Sequence, residues 1–231
     1  FVDPMLNFMR WNHRVYPYGP SWIILTAPLS FIGLNIFLPT FFLFKILIGL
    51  SYAGSSFLIY KISEILFPKD KIFNTVFFAF NPLVIIEGLV SAHNDFPLIF
   101  FALLAIYLYL IKKKVFSLIS LIFSIGVKYA SIILIPVFIY LMFMEKTKRK
   151  INWERVLLIS VVFSLCAIIF ASMRTTFQPW YLMLPFALGS LISYKKYIFI
   201  PVIISSITCL VIYLTYVFMT DYAKGYPQVI T

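Results

Sequence analysis

Charge is what this sequence has least of. Only 12% of its 231 residues are Asp, Glu, Lys or Arg, against 62% hydrophobic. A soluble domain of this length needs polar residues to cover its outside, so an ordinary water-soluble fold is excluded. Acids are rarer still, eight against nineteen basic residues, and cysteine is confined to Cys166 and Cys209, each inside an apolar run. Two isolated thiols supply neither a disulfide framework nor a metal-binding spacing, and they read as small buried hydrophobes. Internal repeats, low-complexity tracts and linkers are also lacking. Residues 1–231 therefore read as a single transmembrane domain.

What the sequence does have is apolar runs on the scale of a bilayer, which takes about 20 residues per helix. Mean hydropathy is +0.99. These features predict an all-α polytopic membrane protein. The net charge of +11 does not indicate nucleic acid. Thirteen of the nineteen basic residues form short clusters between apolar runs: Lys61/Lys69/Lys71, Lys112–Lys114, Lys146/Lys148/Arg149/Lys150/Arg155 and Lys195-Lys196. That is the distribution of cytoplasmic loops.

With the clusters inside, segments 1–20, 86–95, 172–180 and 221–231 face outward. The expected crossings are 39–60, 72–86, 96–111, 155–171, 180–193 and 197–220. Two segments break the alternation. "SWIILTAPLSFIGL" is short, contains Pro28 and Gly33, and is expected to be a half-embedded helix on the outer face. Segment 115–144 begins and ends beside lysines, so it goes in and comes back as two short re-entrant helices meeting at Gly126-Val127-Lys128. Irregular backbone at that depth is tolerated where protein or a watery cavity covers it. The opening "FVDPMLNFMRWNHRVYPYGP" is polar, aromatic and turn-rich, and it reads as the inside of a loop.

Polar groups inside apolar surroundings mark the candidate site. Glu87 lies in "NPLVIIEGLV", just after Asn81-Pro82, which ends or kinks its crossing. Ionisable groups at membrane depth usually face a cavity and pair with something. "HND" (His93, Asn94, Asp95) has two readings. Asn94 or Asp95 caps the helix beginning at Phe96-Pro97, or the group forms a polar mouth in which Asp95 orients a hydroxyl or acts as a base. His93 with Asp95 also suits a divalent cation or a phosphate-linked sugar. Lys128 needs an anion, either a lipid phosphate or a carboxylate such as Glu87. Lys45 reads as a lysine snorkelling to the interface. In "RTTFQPWYLMLP", Trp180 and Tyr181 suit an interfacial aromatic belt, whereas Gln178 and Arg174 add donors that a belt does not need.

The ordered set YPYGP (16–20), NP-x(4)-E-x(5)-HND (81–95), Lys128-Tyr129 in a broken apolar run, and QPWY (178–181) resembles the multi-spanning GT-C glycosyltransferases. The branch it looks closest to contains glycosyltransferase family 87 and polyprenyl-phosphomannose-dependent mannosyltransferases. The match covers nearly the whole chain in order.

The resemblance implies a GT-C-like helix bundle with short re-entrant or half-embedded helices, in a prokaryotic plasma membrane. A hexose, mannose first among them, would pass from a polyprenyl-phosphate carrier to a glycan, lipid or protein acceptor on the outer face, with inversion. By motif position, Glu87, His93, Asn94 and Asp95 would lie at the sugar site, with Tyr18 in the element leading to it. Lys128 and Tyr129 would lie near the carrier phosphate, and Gln178, Trp180 and Tyr181 would line the pocket. The resemblance also places a first transmembrane helix, and part of the loop carrying the catalytic aspartate, before Phe1. Asp3 stands nearest to that aspartate. No cofactor is required, although a divalent cation stays open. Membrane lipids are the expected surroundings, and nucleic acid is not a partner. The alternative is a transporter or flippase of a polyprenyl-linked or anionic substrate, using the same cations.

Overall fold

A computed structural model describes residues 18–173 and 177–218. The described residues are helices joined by short turns, with no strand among them. The helices are α1 (Pro20–Ile32), α2 (Phe37–Leu66), α3 (Lys71–Ala79), α4 (Pro82–Ile85), α5 (Asp95–Leu110), α6 (Lys114–Val127), α7 (Ile135–Lys146), α8 (Trp153–Ser172), α9 (Met183–Ser190) and α10 (Lys196–Phe218). A π-helical turn, Ile86–Val90, continues α4. Short 3-10 helices, Tyr129–Leu134 and Pro179–Leu182, lead into α7 and α9.

By length and composition, Phe37–Leu66, Tyr129–Lys146 and Trp153–Ser172 can each cross a membrane. The pair Lys71–Ala79 and Pro82–Val90, bent by 55°, makes a fourth if taken as one span. Large apolar side chains such as Phe42, Leu50, Ile122 and Phe163 stand exposed around the bundle. In water they would be a liability; in lipid they are the natural surface. The protein is an all-α polytopic membrane protein.

The ends of the helices are tied by charge. Glu64 on α2 holds Lys61 and, across the turn, Lys71, both at 2.9 Å. Glu145 at the end of α7 meets Lys114 at the start of α6 at 3.0 Å and accepts from the Tyr109 hydroxyl of α5 at 2.9 Å. Glu154 at the start of α8 meets Lys195, beyond α9, at 3.0 Å and accepts from Tyr194. Burial, and after it the Glu154 carboxylate, push the Tyr194 phenol up, so it stays a donor. All these groups gather at one end, the lysine-rich end. The start of α6 and the end of α7 therefore lie together, and the segment expected to go in and come back does so, breaking at Lys128.

Helix α5 is the axis. Phe96, Leu98, Ile99, Ala102 and Ala105 are fully buried, as expected of a helix that is apolar all round. Against it, α6 presents a serine ladder. Ser117, Ser120 and Ser124 donate to the carbonyls of Ala105, Phe101 and Leu98 at 2.7, 2.8 and 2.8 Å. The descending acceptor numbers show that the two helices are antiparallel. Small hydroxylated residues of this kind let membrane helices approach closely and bond.

Segment 180–193 differs from the expected full crossing. The 3-10 turn and α9 are short, and every residue of α9 is buried. Surrounded by longer helices, the segment need not match the bilayer thickness. The break between α3 and α4 falls at Asn81-Pro82, as expected. The Asn81 side chain accepts from the Leu83 and Val84 amides and donates to Ser206 of α10 at 2.8 Å, while Tyr52 donates to the Ala79 carbonyl.

Helix α1 begins where Gly19 packs against the Gly126 backbone, and it ends where Gly33 packs on Thr40 in the first turn of α2. Both neighbours lie at the end away from the lysines. The helix therefore lies along that end, matching the half-embedded segment expected there.

Candidate functional site

At the end opposite the lysines, three irregular pieces of backbone meet: the π-turn, the Lys128 break and the 3-10 turn at Pro179–Leu182. The π-turn carries Glu87 inward, and no part of its side chain is exposed. Gly88 follows it so closely packed on Phe96 that a Cβ there would press on the ring. Ala92 then takes φ 57°, a left-handed conformation uncommon for a residue with a side chain. This turn folds His93 back over the π-turn, where its amide donates to the Glu87 carbonyl at 3.0 Å.

Two side-chain pairs result. Asp95, in the first turn of α5, receives Lys128 Nζ on both carboxylate oxygens at 2.9 Å. Lys128 can reach because its residue is extended (φ −155°, ψ 133°) between α6 and the 3-10 helix. Glu87 takes the Tyr213 hydroxyl of α10 on Oε1. Its Oε2 lies 3.0 Å from His93 Nε2, yet Oε2 has no formed hydrogen bond among the described residues. The close approach is the more telling of the two facts. A small rotation of the imidazole aligns its N–H, whereas the buried carboxylate has nowhere else to turn.

Trp180 and Tyr181 join the two pairs. The Trp180 ring stacks on His93 with centroids 4.1 Å apart and planes 22° from parallel. Lys128 Nζ lies 5.7 Å from the Tyr181 ring centroid, within cation–π range. The two rings meet edge to face at 6.2 Å. Beside the Asp95–Lys128 pair opens a cavity of about 130 Å³, walled by Ala130, Ile133, Ala167, Ile168 and Leu184 among others. Its walls suit hydrocarbon.

The structure thus brings together Glu87, His93, Asp95, Lys128, Trp180 and Tyr181. Asn94 adjoins them, buried, and its side chain makes no capping bond; its Nδ2 has no partner among the described residues. Asp95 spends its carboxylate on Lys128, so neither residue of "HND" is explained as a side-chain cap. The partner of Lys128 is Asp95 rather than Glu87. Lys45 does more than snorkel: it caps the carbonyls of Leu89 and Val90 that the π-turn leaves open.

Tyr18 lies half-buried at the head of α1, edge-on to Trp22 at 6.1 Å. Tyr129 stands 57% exposed, outside the cavity wall. Gln178 precedes the 3-10 turn without capping it through its side chain. Asp3 and Arg174 lie outside the described residues. Tyr213 was not foreseen, because one more tyrosine in an apolar run carries no signal. Among the described residues, no group of three or more His, Cys, Asp or Glu is placed to hold a metal ion.

Fold and site together define a helical membrane protein that gathers buried charge and aromatic rings at one end of its bundle. The model of the MptA_B family, described as the N-terminal domain of alpha-(1->6)-mannopyranosyltransferase, matches residues 7–144. That is more than half of the chain, and the chain belongs to this family. It is accordingly a mannosyltransferase-family protein, and a glycosyltransferase. The matched span includes Glu87, His93, Asp95 and Lys128, while Trp180, Tyr181 and Tyr213 lie beyond it. No curated protein and no solved structure matches the chain.

Proposed function

We propose that this protein transfers mannose from a polyprenyl-phosphate-mannose donor to a glycan acceptor on the outer face of the membrane, forming an α-(1→6) linkage with inversion. Inversion to an α product calls for a β-linked donor. The observation that carries the reading is the Asp95–Lys128 pair at the mouth of an apolar cavity. That pairing of charge and hydrocarbon suits an amphiphile with an anionic head, as a polyprenyl phosphate is.

Lys128 keeps three N–H donors. Two serve Asp95, which leaves one for a phosphate oxygen. As the bond from mannose to phosphate breaks, negative charge grows on that oxygen, and a fixed ammonium stabilises it more in the transition state than before. The reading assigns the neighbouring Glu87, His93, Asn94 and Trp180 to the sugar side of the site, with Glu87 buried behind His93. Asp3 remains the candidate, from the first outer loop, for the aspartate that takes the acceptor proton. Transport would need a polar path to both faces. At the lysine-rich end, however, the buried Asn74 side chain is bonded to Ser63, Leu191 and Ser193, tying α2, α3 and the end of α9 together.

The test is transfer of radiolabelled mannose by the full-length protein in detergent. Product from polyprenyl-phosphate-mannose, with none from a sugar nucleotide, is expected. Product from the nucleotide alone would sink the donor assignment; no transfer in detergent, with uptake into sealed proteoliposomes, would favour transport. Orientation has its own check in intact cells. A cysteine replacing Ser91 should react with an impermeant maleimide and one replacing Lys148 should not; the reverse labelling overturns the outer-face site.

A further inference from the structure

We propose that Ala167 and Ala171 of α8 determine carrier specificity, making the cavity beside Lys128 a seat for the isoprene unit next to the carrier phosphate. This rests on the mannosyl-transfer reading above. It adds what the protein recognises in the carrier, a methyl-branched chain at that unit as distinct from a straight one. Helix α8 lies beyond residues 7–144, so the family match has no bearing on these two residues.

One face of α8 forms a side of the cavity. Ser164, Ala167, Ile168 and Ala171 line it, spaced as a single stripe along a helix. From Ser164 to Ala171 the stripe runs about 10 Å at the rise of an α-helix. The helix starts at the lysine-rich end with Glu154 and ends beside the site, so the cavity descends from the charged pair into the bundle. The neighbouring faces of α8 carry Phe163, Leu165, Ile169 and Phe170, large and exposed as lipid contact asks. Small residues in membrane helices normally let two backbones close up. Here they do not: Ala130, Ile133, Leu184 and Pro185 stand on other walls, and the space between is kept.

Volume limits the occupant. An apolar cavity of about 150 Å³ takes one six-carbon benzene ring, so one of about 130 Å³ takes about one five-carbon isoprene unit. Asp95 and Lys128 are the charged residues of the lining, which puts the head of the ligand at their level. The Ser164 hydroxyl, lower down, donates to the Ser160 carbonyl of its own helix at 2.6 Å, so its proton is spent there. A long carrier cannot thread into a closed hole. Ala130 is exposed and Ala167, Ile168 and Ala171 are half-buried, so the cavity opens sideways. The rest of the chain leaves there for the lipid, between the 3-10 helix Tyr129–Leu134 and α8. Alanine side chains stop at Cβ, and each leaves a recess beside the path of the chain. A straight chain leaves those recesses unfilled, and a gap has no partner atoms on one side. The methyl branch of an isoprene fills one while its chain runs on past.

The experiment uses the full-length protein in detergent and two synthetic β-mannosyl phosphates, one on an isoprenoid chain and one on an unbranched alkyl chain of equal length. Wild type should prefer the isoprenoid by about tenfold or more in kcat/KM, the usual worth of one carbon in an apolar pocket. In Ala167→Leu and Ala171→Leu the added carbons occupy the recesses. For the isoprenoid donor kcat/KM should then fall by about 10–200-fold, chiefly through KM, while the unbranched donor keeps most of its kcat/KM. The preference is lost or reversed, whereas a misfolded variant loses both donors together. Cys166→Leu, at an exposed position of the same helix, should keep the wild-type preference. If the leucine variants fail to accumulate, the smaller Ala167→Val decides, with a lesser shift in the same direction. The proposal is overturned if the alanine variants lose both donors in parallel, or if Cys166→Leu shifts the preference as they do. Equal use of the two donors by wild type removes this inference alone and leaves the transfer reading standing. If wild type consumes neither, the transfer reading falls first and this inference with it.

Discussion

Lys128→Ala is expected to abolish transfer, lowering kcat by about 10²–10³-fold, the usual consequence of removing one donor aimed at developing negative charge. The same change leaves the Asp95 carboxyl without its lysine partner, with only 8% of its side chain exposed. Breaking a buried pair in this way costs about 3–5 kcal/mol, so loss of activity by itself would be ambiguous. The double variant Asp95→Leu/Lys128→Met separates the two effects. Replacing a buried ion pair by apolar residues of similar volume is often neutral or stabilising, so the double variant should regain much of the melting temperature lost by Lys128→Ala. It should regain none of the transfer. Asp95→Asn alone should lie between the two, because it weakens the partner while keeping the ammonium. Thermal melting in detergent and donor-dependent transfer on the same preparations decide the matter. A stable Lys128→Ala protein with transfer near wild type would reduce the pair to a structural clamp and remove the support for a phosphate at that position.

The breaks in this fold were legible because each has a local cause. Asn81-Pro82 removes a helical donor and supplies a cap, and Gly126-Val127-Lys128 puts a charge in an apolar run; both positions interrupt a helix as expected. What was not legible is pairing. Lys128 finds Asp95 across 33 residues, and Glu87 finds Tyr213 across 126, separations over which sequence order says nothing about contact. The choice between Asp95 and Glu87 as partner of Lys128 turned on the π-turn, which draws Glu87 away from the break toward His93 and α10. Such a turn has no compositional mark. The serine ladder of α6 was present as S-x(2)-S-x(3)-S, but serine in a membrane helix draws no notice until its acceptors are known. The length of α9 misled for another reason. Bilayer thickness governs helices that face lipid, and α9 is enclosed by other helices.

Substituting Gly19 with valine should impair both the fold and the reaction, although Gly19 touches no charged group of the site. Its backbone packs against Gly126, and the Gly126 backbone packs against Ser21, so that a side chain on either glycine would strike backbone or a buried hydroxyl. The Gly19 amide also points to the Val127 carbonyl at 3.4 Å. The backbone angles of Gly19 (φ −83°, ψ 175°) are open to any residue, so the penalty is steric and not conformational. Overpacking of this kind costs about 1–3 kcal/mol. The obstacle is main chain, which cannot swing aside as a side chain can. The relief open to the protein is to move α1 away or to push the end of α6, and Lys128 begins one residue after α6 ends. A displacement of about 1 Å at a positioning group can cost on the order of 10²-fold in rate. Gly19→Val is therefore expected to lower the melting temperature and cut transfer by roughly that factor. Gly49→Ala is the control of opposite sign. Nothing lies within 4 Å of a Cβ there, and alanine in a helix interior is favoured over glycine by about 0.5–1 kcal/mol. It should leave transfer intact and stability equal or higher. If Gly19→Val matched wild type in both measurements, α1 would be an ornament at the membrane surface and the position of Lys128 would be set by α5 and α6 alone. If it loses transfer while keeping its melting temperature, the contact between the glycines serves chiefly to aim the lysine.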